Sequence, residues 1–154
     1  MEETNDKYKT RYEEIYKKID DIRHAYLSHE RIAPLINDRN QYSVGVEYDR
    51  MQKKMKQFEK LTLGRTSFNK LRPIVQELYD STEPFMKEAK KDIFFAKLFK
   101  SGPDEKDINT MKAGKAAHVI RDMMHLILEG LDHAAKELPP EYMDAEYNDI
   151  IKHL

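Results

Sequence analysis

Apolar residues along this chain recur at intervals of three and four almost throughout. Tyr8, Tyr12, Ile15, Ile19, Ile22 and Tyr26 keep that step without a fault, which puts all six on one stripe of a first helix. Pro34 cannot continue a helix interior, and Asn37-Asp38-Arg39-Asn40 supplies turn formers, so a loop is expected next. Val44, Tyr48, Met51, Met55 and Phe58 then repeat the pattern up to Gly64, giving a second helix.

Thr66 and Ser67 are available caps for a third helix carrying Leu71, Ile74, Val75 and Leu78, with Pro73 near its first turn or kinking it. Pro84 is expected to break or bend that run. Phe85, Ala89, Ile93 and Ala96 suggest a fourth helix, which Ser101-Gly102-Pro103 ends. The longest regular stripe is Ala113, Ala117, Ile120, Met124, Ile127, Leu131, Ala134 and Leu138, stopping at Pro139-Pro140, and a short last helix carries Met143, Tyr147, Ile150 and Leu154. No internal repeat, linker or alternating strand pattern interrupts this. The fold expected is all-α: one domain over residues 1–154, an antiparallel bundle of about five to six helices.

Composition narrows the picture. The 154 residues suffice for a single core without staples, and the absence of cysteine removes disulfides, thiolate nucleophiles and Cys-based zinc sites together. Lys+Arg 27 against Asp+Glu 28 leaves a net charge of -1, so any contact with nucleic acid has to be local. No apolar run approaches a membrane span, and the acidic start Met1-Glu2-Glu3-Thr4-Asn5-Asp6 is unlike a signal peptide, so a cytoplasmic location is expected. No Gly-rich phosphate loop, Gly-x-Ser-x-Gly elbow or His-Glu-x-x-His motif occurs, and no cofactor is called for.

Phosphate chemistry concentrates in Arg23-His24-Ala25-Tyr26-Leu27-Ser28-His29. An imidazole titrating near neutrality can exchange a proton with a ribose oxygen, and a guanidinium can neutralise a phosphate. Residues six apart lie on different helix faces, so His29 reaches Arg23 only where the helix unwinds or where a second subunit contributes. The structural alternative is that Arg23 snorkels over the apolar stripe while His29 meets the negative end of the helix dipole.

This stretch resembles the signature of the HEPN family, an Arg, a polar residue and a later His, with Arg23, His24 and His29 in those places. A weaker likeness extends over Leu63-Gly64-Arg65-Thr66-Ser67-Phe68-Asn69-Lys70-Leu71 and the helix after it. The resemblance implies a bundle that dimerises to bring two motifs together, and a metal-independent endoribonuclease of toxin or antiviral systems, or an inactive binding version. It further implies that Arg23 holds the scissile phosphate, His29 transfers protons and His24 orients one of them.

Three other features bear on function. His118, Asp122, His125, Glu129 and His133 have helical spacing suited to a metal, but they fall on the polar flank of the long stripe, so no metal site is expected. Arg121-Asp122-Met123-Met124-His125 looks like a second copy of the motif, yet has only three intervening residues in mid-helix. Lys87, Lys90, Lys91, Lys97 and Lys100, with Phe94, Phe95 and Phe99 between them, have the composition of an RNA-tracking helix. The favoured reading of that helix is plainer, with its Phe residues buried and its Lys residues solvated. Eight Met and nine Tyr suggest adaptable contact surfaces. Two functions are therefore carried: a HEPN-like ribonuclease acting on RNA, and a non-catalytic helical module, such as an adaptor, inhibitor or antitoxin-type partner, that binds a protein or a second copy of itself.

Overall fold

The computed structural model describes residues 2–28, 45–99 and 104–151, all built from helices and their connections. Among the described residues there are four long helices, α1 (Glu2–Ser28), α2 (Gly45–Leu63), α3 (Phe68–Phe99) and α4 (Glu105–Glu137). Two short ones follow, α5 (Pro140–Asp144) and α6 (Tyr147–Ile151). The loop expected around Pro34, the Ser101-Gly102-Pro103 stop, Val44 and Leu154 lie outside the described residues.

The three-four stripes become the core. Every member of the stripe from Ala113 to Leu138 is buried, as are Tyr12, Ile15 and Ile19 of α1 and Tyr48, Met51, Met55 and Phe58 of α2. Cross-pairs fix the register. Lys54 of α2 meets Glu77 of α3, Arg72 of α3 meets Asp132 of α4, and Arg11 of α1 meets Glu137 of α4, so neighbours run antiparallel. The most extensive pairing is α3 with α4, followed by α2 with α3. None of the described helices is long and apolar enough to cross a membrane.

The third and fourth expected helices are one. α3 runs unbroken through Pro73 and Pro84, although an interior proline removes a backbone donor and costs about 3 kcal/mol. Continuity follows from what lies on either side of Pro84: Leu78 and Phe85 are both fully buried, so breaking the helix there would take one of them out of the core. In the turn before it the hydroxyls of Ser81 and Thr82 donate to the carbonyls of Leu78 at 2.7 Å and Tyr79 at 2.6 Å, back-bonds of the kind that bend a helix without breaking it. The expected last helix is instead split into α5 and α6 by extended backbone at Ala145.

The join between α2 and α3 is compact. Thr66 N donates to Leu61 O at 3.2 Å and Arg65 N to Thr62 O at 3.2 Å, the paired bonds of a Schellman ending. Arg65, with φ 50°, holds the left-handed position usually given to glycine. Ser67 then caps α3, its Oγ accepting from Lys70 N at 3.3 Å, as its place in the sequence suggested.

At this base of the bundle α5 and α6 close over α1. Tyr12 and Tyr16 each pack on Phe68, with centroids 4.9 and 4.8 Å apart, and Tyr147 stands edge-on to Tyr16 at 5.2 Å. The opposite end is different. Tyr48, near the start of α2, sits 5.9 Å from Phe85, so by the antiparallel register the C-terminal turns of α3 run past α2. Gly114 lies over Ala89, a Cβ there meeting that of Ala89 at 3.5 Å, and the first turns of α4 extend the hairpin in the same direction.

Candidate functional site

Arg23 lies in the last third of α1 and is buried, at 7% exposure. Its Nη1 is 3.1 Å from Asp20 Oδ1, one turn earlier on the same helix. Arg65 reaches the other carboxylate oxygen, Nη2 to Oδ2 at 3.0 Å, from the α2–α3 turn. Asp20 therefore bridges two guanidiniums, which leaves the trio with one surplus positive charge.

The left-handed backbone of Arg65 is what aims its side chain. Its guanidinium lies 4.3 Å over the ring of Tyr147, and its carbonyl accepts from Tyr147 N at 3.3 Å. One strained residue thus ties α1, the α2–α3 turn and α6 together. Three buried polar atoms in this cluster lack hydrogen-bond partners, Asp20 Oδ1, Arg23 Nε and the Tyr16 hydroxyl, so the 3.1 Å contact of Arg23 with Asp20 is an ion pair without hydrogen-bond geometry. Burial pushes the Tyr16 phenol well above its ordinary range, so it stays neutral.

For the proposed motif, the structure places Arg23 in this buried pair rather than snorkelled at the surface. His24 is exposed on α1, and His29 lies outside the described residues. Sequence reading missed Asp20 and Arg65 as partners of Arg23. A carboxylate one turn before a basic residue was a readable signal for Asp20, whereas Arg65 is 45 positions from Asp20 and only the fold brings it close.

Lys87, Lys90, Lys91 and Lys97 are exposed on α3, with Lys87 3.4 Å from Glu83, and Lys100 lies outside the described residues. The expectation that the neighbouring Phe residues are buried is corrected. Phe94 and Phe95 are 63% and 61% exposed and Leu98 is 60% exposed, with Ile108 and Met111 exposed on the facing start of α4. Phe94 and Leu98 lie one turn apart on the side of α3 away from Phe85 and Ala89. Helical spacing identified a stripe here; it did not say that the opposite side of the same helix was apolar as well.

The five polar residues of α4 from His118 to His133 are all exposed, where the spacing put them. His125 Nε2 lies 2.9 Å from Glu129 Oε1. Among the described residues no group of three or more His, Asp or Glu side chains converges as metal ligands do. Arg121 is structural, packed 4.1 Å over the ring of Tyr79 and donating to Thr82 Oγ1 at 3.3 Å. The class defined by this geometry is an all-α bundle with a buried Arg23 and a half-exposed Arg65 sharing Asp20 at one end and exposed apolar residues at the other. Comparison with known protein families, curated proteins and solved structures finds no match.

Proposed function

We propose that the protein is a helical interaction module that grips a protein partner with the tip of the α3–α4 hairpin. The observation that carries this is the run of exposed apolar residues at the tip: Phe94, Phe95 and Leu98 in the last turns of α3, and Ile108 and Met111 in the first turns of α4. A helix that is apolar on both sides is normally covered on both sides, and clustered aromatic and aliphatic anchors are what binding surfaces present. Lys90, Lys91 and Lys97 flank the anchors, so the partner segment is one that mixes acidic with apolar residues.

The test is capture of partners from cell extract on the immobilised full chain and on a Phe94→Glu/Leu98→Glu variant. Both positions are exposed, so folding is expected to survive while the bound protein is lost by tenfold or more.

The HEPN-like ribonuclease is the second proposal, and one observation favours keeping it. The two stretches that carry the resemblance meet in space, since Arg65 from the second shares Asp20 with Arg23 from the first. In that role Arg23 engages the phosphate, His29 transfers protons, His24 orients one of them and Asp20 sets the angle of Arg23. A toxin or antiviral setting would suit such an activity. Incubation of mixed RNA with the purified chain in EDTA tests it: cleavage that disappears in His29→Ala, with an unchanged melting temperature, supports it, and intact RNA in both samples rejects it.

A further inference from the structure

Apart from the hairpin tip, one other face of the bundle is built to receive something. Between α1 and α4 runs a groove of about 410 Å³, floored by Ile15, Ile19, Ile22 and Ile127. Its α4 wall carries Leu126, which is 55% exposed, and one turn later Gly130, where an added Cβ would meet nothing within 4 Å. A protruding leucine therefore stands one turn from an open hole, on the same stripe of the same helix.

We propose that this groove is the contact between two copies of the chain, packed with their α4 helices antiparallel about a twofold axis between Leu126 and Gly130. A twofold contact requires a surface to complement itself, so that residue i meets j and j meets i. Leu126 and Gly130 satisfy that demand as a pair. With the axis midway between them, Leu126 of each copy enters the space over Gly130 of the other, and the missing side chain lets the two helices approach closely.

Charge along the groove has the same symmetry. Of the charged residues that line it, Lys18 and Asp21 lie one turn apart on α1, and Glu129 stands beside Gly130 with His125 as its partner. Reversing one copy runs the Lys18-to-Asp21 order of one α1 against its reverse in the neighbour, so that unlike charges face each other. Arg11 does not add to this, because it is already paired with Glu137 and Glu14, and its guanidinium holds the Glu137 carboxyl below its ordinary range. A parallel arrangement would put Leu126 against Leu126 and like charges together, so the pattern selects the antiparallel one. Because α1 and α4 supply this face while the tips of α3 and α4 supply the other, self-association leaves the proposed partner surface open and is independent of it.

Sedimentation velocity over a range of concentration tests the assignment, alongside Gly130→Gln, which fills the hole with a flexible polar side chain. The expected result is a concentration-dependent dimer that Gly130→Gln weakens at least tenfold while its melting temperature holds or rises, since glutamine is a better helix former than glycine. Because the chain lacks cysteine, disulfide trapping is clean: a mixture of Leu126→Cys and Gly130→Cys should cross-link into heterodimers faster than either alone. A monomer at all concentrations overturns the proposal. So does a dimer indifferent to Gly130→Gln, or one trapped through Phe94→Cys instead, which would make the hairpin tip the contact between copies.

Discussion

The two ends of this bundle use the same kinds of side chain to opposite effect. At the base, Tyr12, Tyr16 and Phe68 are fully buried and pack ring on ring, and a strained Arg65 fastens α6 over them. At the far end of the α3–α4 hairpin, Phe94 and Phe95 are more than half exposed. Aromatic residues are thus core where four elements converge and surface where, among the described residues, two helices run on past their neighbours. The apolar side chains at the tip are what the proposed partner would cover, and the base, where Tyr12, Tyr16 and Phe68 are covered although Leu63 is 59% exposed, is the part that holds the molecule together.

The largest expected effect separates the ends directly. Phe68→Ala removes a fully buried ring and is expected to cost about 3–5 kcal/mol in urea unfolding, while Phe94→Ala should stay within about 0.5 kcal/mol of the parent. Similar losses at both positions would break the comparison.

Next in size is the buried ion pair. Asp20→Ala strands the Arg23 guanidinium without its counter-charge, and losing one partner of a buried pair costs about 3 kcal/mol or somewhat more. Replacing Arg23 by Met, which restores apolar packing without a charge, is expected to be far milder. A small effect of Asp20→Ala would mean that Arg23 swings to solvent, which would sharpen the case for phosphate binding.

How much of this was legible in the sequence depends on what each feature rests on. The stripes from Tyr12 to Ile19 and from Ala113 to Leu138 depend on period alone, and they appear in the core as read. The continuity of α3 was not legible, because a proline's local cost is visible in sequence whereas the tertiary burial of Leu78 and Phe85 that offsets it is not. For the candidate site, Arg23 could be singled out by its chemistry, but its partnership with Arg65 depends on a left-handed residue in a turn and on the docking of α6. The exposure of Phe94 and Phe95 was misjudged for a related reason: periodicity reports which face a residue occupies and cannot report whether anything stands opposite that face.

The smallest effect concerns pH. Burial, with Glu146 next in importance for Tyr12 and Tyr12 itself for Tyr16, raises both phenols above their ordinary value of 10.0. A raised acid keeps its proton in the folded state while the unfolded chain ionises. Their contribution to stability is therefore complete below pH 10 and is lost progressively as pH climbs from there toward the folded values. Tyr16→Phe, removing a hydroxyl that has no partner, should leave neutral-pH stability unchanged or raised by about 1 kcal/mol and should blunt the alkaline loss. Tyr12→Phe differs, because Tyr12 donates to Ala145 O at 3.2 Å and gives up that bond. A marked loss at neutral pH in Tyr16→Phe would show that its hydroxyl does have a partner in solution.

The most direct test of the division between a structural base and a binding tip is hydrogen exchange on the full chain, alone and with a captured partner bound. Slowed exchange in the C-terminal turns of α3 and the first turns of α4, with little change around Asp20, Arg23 and Arg65, is the expected result. Protection confined to the arginine pair, with the hairpin tip exchanging as before, would contradict it.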